Sequence, residues 1–116
     1  MTGRTFTRLS KTDGTLVCAR CAIADTPLRR LIGLLGRSSV RDDEGLLIRP
    51  AGSIHTFFMR FTIDAVFCDR ELRVVKVVAG LKPWRAAVGR GARVVVELAS
   101  GAAASIEPGD QLVTQP

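Results

Sequence analysis

Apolar positions along this chain form short runs that are separated by turns rich in glycine, proline and acidic residues. Runs of this length at frequent intervals predict β-strands. The predicted strands cover residues 5–9, 16–23, 45–49, 53–68, 72–79, 92–98 and 111–114. Asp13 and Gly14 between the first two runs predict a hairpin, because glycine adopts the positive φ that tight hairpin turns need. A bend near residues 60–62 would divide the long run 53–68 into two adjacent antiparallel strands.

One segment, residues 27–36, has helical periodicity. Thr26 can cap the N-terminus of a helix, Pro27 suits its first position, and Gly36 can end it. A second, short helical turn is predicted over 101–106. The apolar positions that recur at helical spacing in the first segment are Leu28, Leu31, Ile32 and Leu35.

These elements predict a mainly β fold, a compact antiparallel barrel or sandwich with one amphipathic helix, in a single domain over residues 1–116. The composition agrees with a globular protein, since 47% of the residues are hydrophobic and 24% are charged. No apolar run approaches the ~20 residues that a bilayer-spanning helix needs.

The start of the chain and its charge indicate a compartment and limit the partners. Residues 1–6 contain no apolar core of a secretory signal, so the expected location is the cytoplasm, with export as the alternative if the native start differs. The net charge of +6 favours acidic partners. Because the arginines are spread along the whole chain and tyrosine is absent, nucleic-acid binding is disfavoured.

Three cysteines are present, and Cys18 and Cys21 have the spacing of a redox or zinc motif. An odd count argues against a disulfide framework, and no second pair completes a tetrahedral zinc site. On a regular strand Cys18 and Cys21 would point to opposite faces. We therefore interpret these two residues and Cys68 as small buried apolar residues, and we expect neither a metal nor a cofactor.

The segment 53–68 carries the main candidate site. Its odd positions are mostly apolar and predict the core face, whereas its even positions mix polar and apolar side chains. Thr56, Arg60 and Asp64 would then line one patch that can orient a small polar or anionic ligand. The alternative is a surface ion pair between Arg60 and Asp64 without any ligand, worth ~0–1 kcal/mol.

Two further candidates are His55 and Trp84, the only histidine and the only tryptophan. We expect His55 to be a core residue with satisfied ring nitrogens, unless a β-bulge brings it to Asp64. A soft-metal set of His55, Met59 and Cys68 is disfavoured, because Cys68 would face away from the other two. Trp84 is expected to close the end of the barrel, and its alternative role is stacking on a sugar or a base.

Residues 54–67 read IHTFFMRFTIDAVF, which resembles the signature of the family called domain of unknown function 192. Shorter matching pieces lie at 33–37, 44–47, 82–84, 96–101 and 108–110, so the resemblance covers about residues 24–113. The individual positions that match are His55, Thr56, Met59, Arg60, Ile63, Asp64, Phe67, Trp84, Glu97, Gly101, Gly109 and Asp110.

The resemblance implies a small, mostly β domain with one or two short helices and no established activity. Relatives commonly have proline where this chain has Thr62 and glycine where it has Leu72. These differences affect the bend before Ile63 and the turn that contains Leu72. Many relatives also carry an export signal, so the resemblance keeps export as the alternative to the expected cytoplasmic location.

The leading functional hypothesis is a binding or interaction module for a small polar or anionic ligand, and not an enzyme. Its ligand-binding candidates are Thr56, Arg60, Asp64, His55 and Trp84, and it has no complete set of nucleophile, base and orienting group. One alternative is an acid–base enzyme that uses His55 and Asp64. A further alternative is a basic nucleic-acid-binding domain.

Overall fold

The computed structural model describes residues 5–34 and 37–115, apart from the side chains of Leu28, Leu31 and Ile32. Within these residues the chain forms nine strands and one helix. In chain order the elements are β1 (Phe6–Lys11), β2 (Leu16–Ala24), α1 (Pro27–Ile32), β3 (Glu44–Ile48), β4 (Ser53–His55), β5 (Ile63–Cys68), β6 (Val74–Leu81), β7 (Ala86–Val88), β8 (Val94–Ala99) and β9 (Leu112–Gln115).

Seven strands form one curled sheet in the order β6-β5-β8-β3-β2-β1-β9, and β4 pairs with β7 in a separate two-stranded sheet. The two edges of the large sheet meet at one end, where the backbones of Arg73 and Gln111 form an isolated antiparallel β-bridge. Beside it, the Val74 N–H donates to the Asp110 carbonyl at 2.8 Å. The sheet is therefore a half-barrel, and the predicted mainly β fold is confirmed.

Two features of the sheets differ from the prediction. β2 and β3 are parallel, whereas the sequence predicted antiparallel strands throughout. Parallel neighbours need a long crossover, and the chain between Ala24 and Glu44 supplies it through α1. The run 53–68 gives β4 and β5 in different sheets instead of two adjacent strands, because β4 pairs with the unpredicted strand β7.

The predicted amphipathic helix over 27–36 is wrong, since α1 has only six residues. Its start is as expected: Thr26 Oγ1 accepts a hydrogen bond from the Arg29 N–H at 3.2 Å, and Pro27 opens the helix. Gly33 ends it with φ 52° and ψ −124°, a conformation that side chains disfavour. The predicted stripe cannot be followed, because the side chains of Leu28, Leu31 and Ile32 are not among those described. Leu35 and the expected last glycine, Gly36, lie outside the described residues.

Residues 101–106 form consecutive turns and not the predicted short helical turn. Each turn is closed by a backbone hydrogen bond between residues three positions apart: Ala102 to Ala99, Ala104 to Gly101, and Ile106 to Ala103. In the described part of the chain no helix is both long and apolar enough to cross a membrane.

Buried side chains cover both faces of the large sheet, and they form two separate clusters. The first face carries Val66 and Leu98, and the second face carries Ala65 and Val95. Since β5 and β8 are buried at every position, neither of their faces is open to water. The even-numbered face of β5, which was expected to be polar, is therefore buried with the first cluster.

Candidate functional site: a cavity beside Glu97

A cavity of about 310 Å³ opens on the second face of the large sheet, between α1, the end of β3 and β4. Its apolar walls include Leu34, Ile48, Ile54 and Met59. Its polar lining includes Arg30, Ser53, His55 and Glu97. An apolar cavity with a few converging polar groups is the usual form of a small-molecule site.

Glu97 is the most unusual group in this cavity. It lies on the central strand β8, between Leu46 of β3 and Ala65 of β5, and only 4% of it is exposed. Its Oε1 atom has no hydrogen-bond partner among the described residues. Burial raises the pKa of the Glu97 carboxyl to about 7, because a charged group is poorly solvated there.

The sequence places Glu97 by simple alternation. Val95 faces the second cluster, so Glu97, two residues later, faces the same side. Glu97 was among the positions of the family resemblance but not among the candidate site residues. The missed signal was a single carboxylate within the apolar run 94–99, since an acidic residue is rarely buried without a partner.

His55 lies at the wall of the cavity, and its expected place in the core is wrong. It is exposed at the end of β4, and its ring stacks on Phe57 with 4.8 Å between the ring centroids. His55 Nδ1 accepts a hydrogen bond from the Phe57 N–H at 3.3 Å. Arg30 also lines the cavity and adds a cationic side chain to its polar groups.

Asp64 lies on the first face, buried to 1% exposure, and does not line this cavity. Its carboxylate accepts backbone N–H groups from Gly80 at 2.9 Å, Gly101 at 3.0 Å and Ala103 at 3.0 Å. These bonds join β5 to the end of β6 and to the turns after β8. Among the described residues, Asp64 forms no ion pair with Arg60 and shares no hydrogen-bond partner with His55.

Thr56 is buried where two loops meet. Its hydroxyl donates to the Lys82 carbonyl at 2.6 Å and accepts the Arg85 N–H at 2.9 Å. Its backbone N–H also donates to the Arg85 carbonyl at 2.8 Å. Arg60 is exposed beyond the turn that follows β4. Thr56, Arg60 and Asp64 are therefore not brought together in the predicted patch.

Trp84 does not close the barrel, since 55% of it is exposed. Its ring packs on Phe57 and Phe58, with centroid distances of 5.9 Å and 4.6 Å. Phe58 is 71% exposed. We call Phe57, Phe58 and Trp84 the aromatic tip. It lies beside the cavity, because His55 belongs to the cavity wall and stacks on Phe57.

Cys18 and Cys21 are buried as expected, but they do not point to opposite faces. The pairing of β1 with β2 shifts between Leu9 and Thr7, so an extra residue of β2 places both thiols in the first cluster. A hydrogen bond from the Cys21 thiol lowers the pKa of Cys18, and the same bond together with burial raises the pKa of Cys21. Both are free thiols.

No group of three or more metal-ligating side chains occurs in the part of the chain that the structure describes. The disfavoured metal set of His55, Met59 and Cys68 is split by the sheet. Met59 belongs to the second cluster, Cys68 belongs to the first, and His55 is exposed.

Comparison with known proteins adds the family. The sequence profile of the domain of unknown function 192 family, described as an uncharacterized ACR, matches residues 8–114. The chain belongs to this family. A member from Pyrococcus horikoshii, named UPF0127 protein PH1112, is 38% identical over 96 residues, which cover 78% of this chain and 83% of that protein. The region that matches the family therefore includes almost all of the half-barrel.

Two solved structures share the fold. One, from Sinorhizobium meliloti and provisionally described as a transcription regulator, has a TM-score of 0.82 at 20% identity and covers 97% of this chain and 94% of its own. The other, a protein of unknown function from Novosphingobium aromaticivorans, has a TM-score of 0.75 at 23% identity and covers 95% and 84%. At these identities the likeness establishes the fold of this chain and not an activity.

Proposed function

We propose that this protein binds a small polar ligand in the cavity beside Glu97, through a hydrogen-bond donor of the ligand that reaches the Glu97 carboxylate. The observation that carries the proposal is the unpartnered Oε1 atom of Glu97 among the described residues. Leaving a buried polar atom without a partner costs about 1–3 kcal/mol, and more for a charged group. Such a group at a cavity is a strong candidate for ligand recognition.

The size and chemistry of the cavity describe the ligand. A volume of about 310 Å³ accommodates on the order of ten non-hydrogen atoms, taking the volume of liquid water as a guide. An ammonium or amidinium group would pair best with Glu97, because it supplies both charge and donors. An anionic group on the same molecule would meet Arg30 and His55 at the wall. The ligand class is thus a compact amine, with or without an acid group.

A binding experiment tests this proposal directly. We suggest titrating the protein with ethanolamine, methylguanidinium, glycine, glucose and inorganic phosphate, with NMR shifts of the Glu97 side-chain carboxyl carbon as the readout. Amines should shift this signal and should bind more tightly as the pH rises through about 7, where Glu97 ionises. Phosphate alone should leave the signal unchanged.

The matched variants are Glu97→Gln and Glu71→Gln, since Glu71 is an exposed carboxylate outside the cavity. Glu97→Gln should weaken amine binding by about tenfold or more, which is the value of a charge-assisted hydrogen bond. Glu71→Gln should leave it unchanged. Equal binding by both variants, or a Glu97 signal that no amine moves, contradicts the proposal.

A second candidate function is acid–base chemistry on the bound molecule. It is favoured by one observation: a carboxyl with a pKa of about 7 and the only histidine line the same cavity. This pair replaces the expected pair of His55 and Asp64. Exchange of carbon-bound hydrogen of an added amino acid in deuterated water would reveal the reaction, and Glu97→Gln should abolish it. Binding without exchange would leave only the binding function.

A further inference from the structure

The aromatic tip is an exposed apolar feature that the cavity does not explain. Phe57, Phe58 and Trp84 are all more than a third exposed. Water-facing aromatic rings in contact with one another are unusual on a monomer and indicate an interaction surface. The rings come from two loops, the turn after β4 and the loop between β6 and β7.

Thr56 holds these loops in place. The Trp84 N–H and the Met59 N–H both donate to the Thr56 carbonyl, at 3.0 Å and 3.1 Å. The hydroxyl of Thr56 bonds to the second loop at Lys82 and Arg85. Phe58 and Trp84 have φ values of 67° and 64°, a left-handed backbone that large side chains seldom adopt. The tip is thus a fixed projection, which loses little conformational freedom on binding.

The charge along the two segments that carry the tip has one sign. Exposed cations flank its residues in the sequence: Arg60 follows Phe58, and Lys82 and Arg85 lie on either side of Trp84. The sequence contains no acidic residue in 45–63 or in 72–96, whereas these two segments contain eight lysines and arginines. The tip therefore combines apolar rings with neighbouring cations, and Arg60, Lys82 and Arg85 form no ion pair among the described residues.

We propose that the aromatic tip inserts into the surface of a membrane that contains anionic phospholipids. Rings of tryptophan and phenylalanine suit the boundary between head groups and acyl chains, and each nearby lysine or arginine adds about 1 kcal/mol of attraction to anionic lipid. Single-stranded nucleic acid fits less well. Successive bases need separate open aromatic faces, whereas Phe57, Phe58 and Trp84 pack on one another.

The test uses the full chain and vesicles of phosphatidylcholine with or without phosphatidylglycerol. Trp84 is the only tryptophan, so its fluorescence reports on the tip alone. Anionic vesicles should bind the protein at least about tenfold more tightly than neutral ones at low salt. They should shift the Trp84 emission to the blue, and brominated lipid should quench it.

Two variants and two matched controls complete the design. Phe58→Ala should weaken binding to anionic vesicles by about tenfold, which is the loss of one inserted ring. Lys82→Gln combined with Arg85→Gln should remove most of the preference for anionic lipid. Leu16→Ser changes an exposed apolar residue of β2, and Arg8→Gln changes an exposed cation of β1. Both should bind like the wild type.

Three results would overturn the proposal. The first is no binding to anionic vesicles in low salt. The second is binding that Phe58→Ala leaves unchanged, which would mean that charge alone acts. The third is tight binding of a single-stranded oligonucleotide with no Trp84 response to vesicles, which would favour a nucleic-acid partner. None of these results affects the cavity beside Glu97, whose test uses soluble amines.

Discussion

Two buried carboxylates on neighbouring strands have opposite surroundings. Asp64 of β5 faces the first side of the large sheet and accepts three backbone N–H groups. Glu97 of β8 faces the second side, and among the described residues its Oε1 accepts none. Both are almost completely buried, at 1% and 4% exposure. Burial alone therefore does not distinguish a structural carboxylate from a candidate binding group.

The difference lies in what each carboxylate faces. Gly101 and Ala103 fold over Asp64 in the turns after β8 and present their amides to it. Glu97 faces a cavity between α1 and β4, and no backbone group of the described residues donates a hydrogen bond to its Oε1 atom. A carboxylate whose oxygens accept hydrogen bonds from the backbone stabilises the fold. A carboxylate that is removed from water and accepts no such hydrogen bonds lowers the stability, and such a cost is typical of functional sites.

The largest effect is expected at Asp64. Asp64→Ala leaves three backbone N–H groups without an acceptor and should lower the free energy of unfolding by about 3–5 kcal/mol. Urea unfolding at neutral pH measures this value. Asp42→Ala, at an exposed carboxylate, should change it by less than about 0.5 kcal/mol. A loss below about 1 kcal/mol for Asp64→Ala would contradict the comparison, because Asp64 would then stabilise the fold no more than Glu97 does.

The second effect is a pH dependence at Glu97. A pKa raised from 4.5 to about 7 means that the folded protein binds a proton more tightly than the unfolded chain. The stability from this group is complete below pH 4.5 and is lost as the pH rises to about 7, in total about 3 kcal/mol. The measurement is the free energy of unfolding of the wild type minus that of Glu97→Gln, from pH 4 to 8. If this difference in the free energy of unfolding does not change over the range, the Glu97 carboxyl is solvated by water in the folded protein.

A third, smaller effect separates the packing of the two faces. A Cβ atom on Gly45 would lie 2.8 Å from Leu98 Cδ2 and 3.0 Å from Cys18 Sγ, both on the first face. Gly45→Ala should therefore destabilise the protein by about 1–3 kcal/mol. Ala51→Val adds volume beside the cavity instead and should cost less than about 1 kcal/mol. Thermal unfolding of both variants makes the comparison, and equal losses would mean that the second face is packed as tightly as the first.

The smallest effect is expected at Arg60. Its side chain is exposed, and Asp64 is occupied by backbone amides. Arg60→Ala should change the free energy of unfolding by no more than about 0.5 kcal/mol. It should also leave the NMR titration of Glu97 unchanged. A loss of more than about 1 kcal/mol would indicate that Arg60 and Asp64 interact after all.

Much of the sheet could be predicted from local patterns. The turn at Asp13 and Gly14 forms as expected, with Gly14 at φ 93° and the Thr15 N–H bonded to Asp13 Oδ1 at 2.8 Å. Thr26 and Pro27 begin the helix for equally local reasons. The end of the helix was missed because two glycines compete, and Gly33 comes before Gly36 along the chain.

The candidate site was less predictable. His55 was one of the proposed binding residues and does line the cavity. Asp64 has the same residue type as a site carboxylate, but its amide donors come from positions 16, 37 and 39 residues away in the sequence. No local pattern reveals such partners. The β-bulge that places the side chains of Cys18 and Cys21 on the same face was missed, because the alternation of side chains assumes a regular strand.

The sequence by itself determined the family, the strand-rich fold and the hairpin and helix starts, because these depend on side-chain periodicity and on residues close together in the chain. Tertiary structure decided which carboxylate is satisfied, which rings are exposed, and that β4 leaves the large sheet to pair with β7. The physical reason is that solvation of a side chain depends on everything packed around it. Asp64 and Glu97 differ in hydrogen bonding because the turns after β8 fold over Asp64, whereas Glu97 faces a cavity.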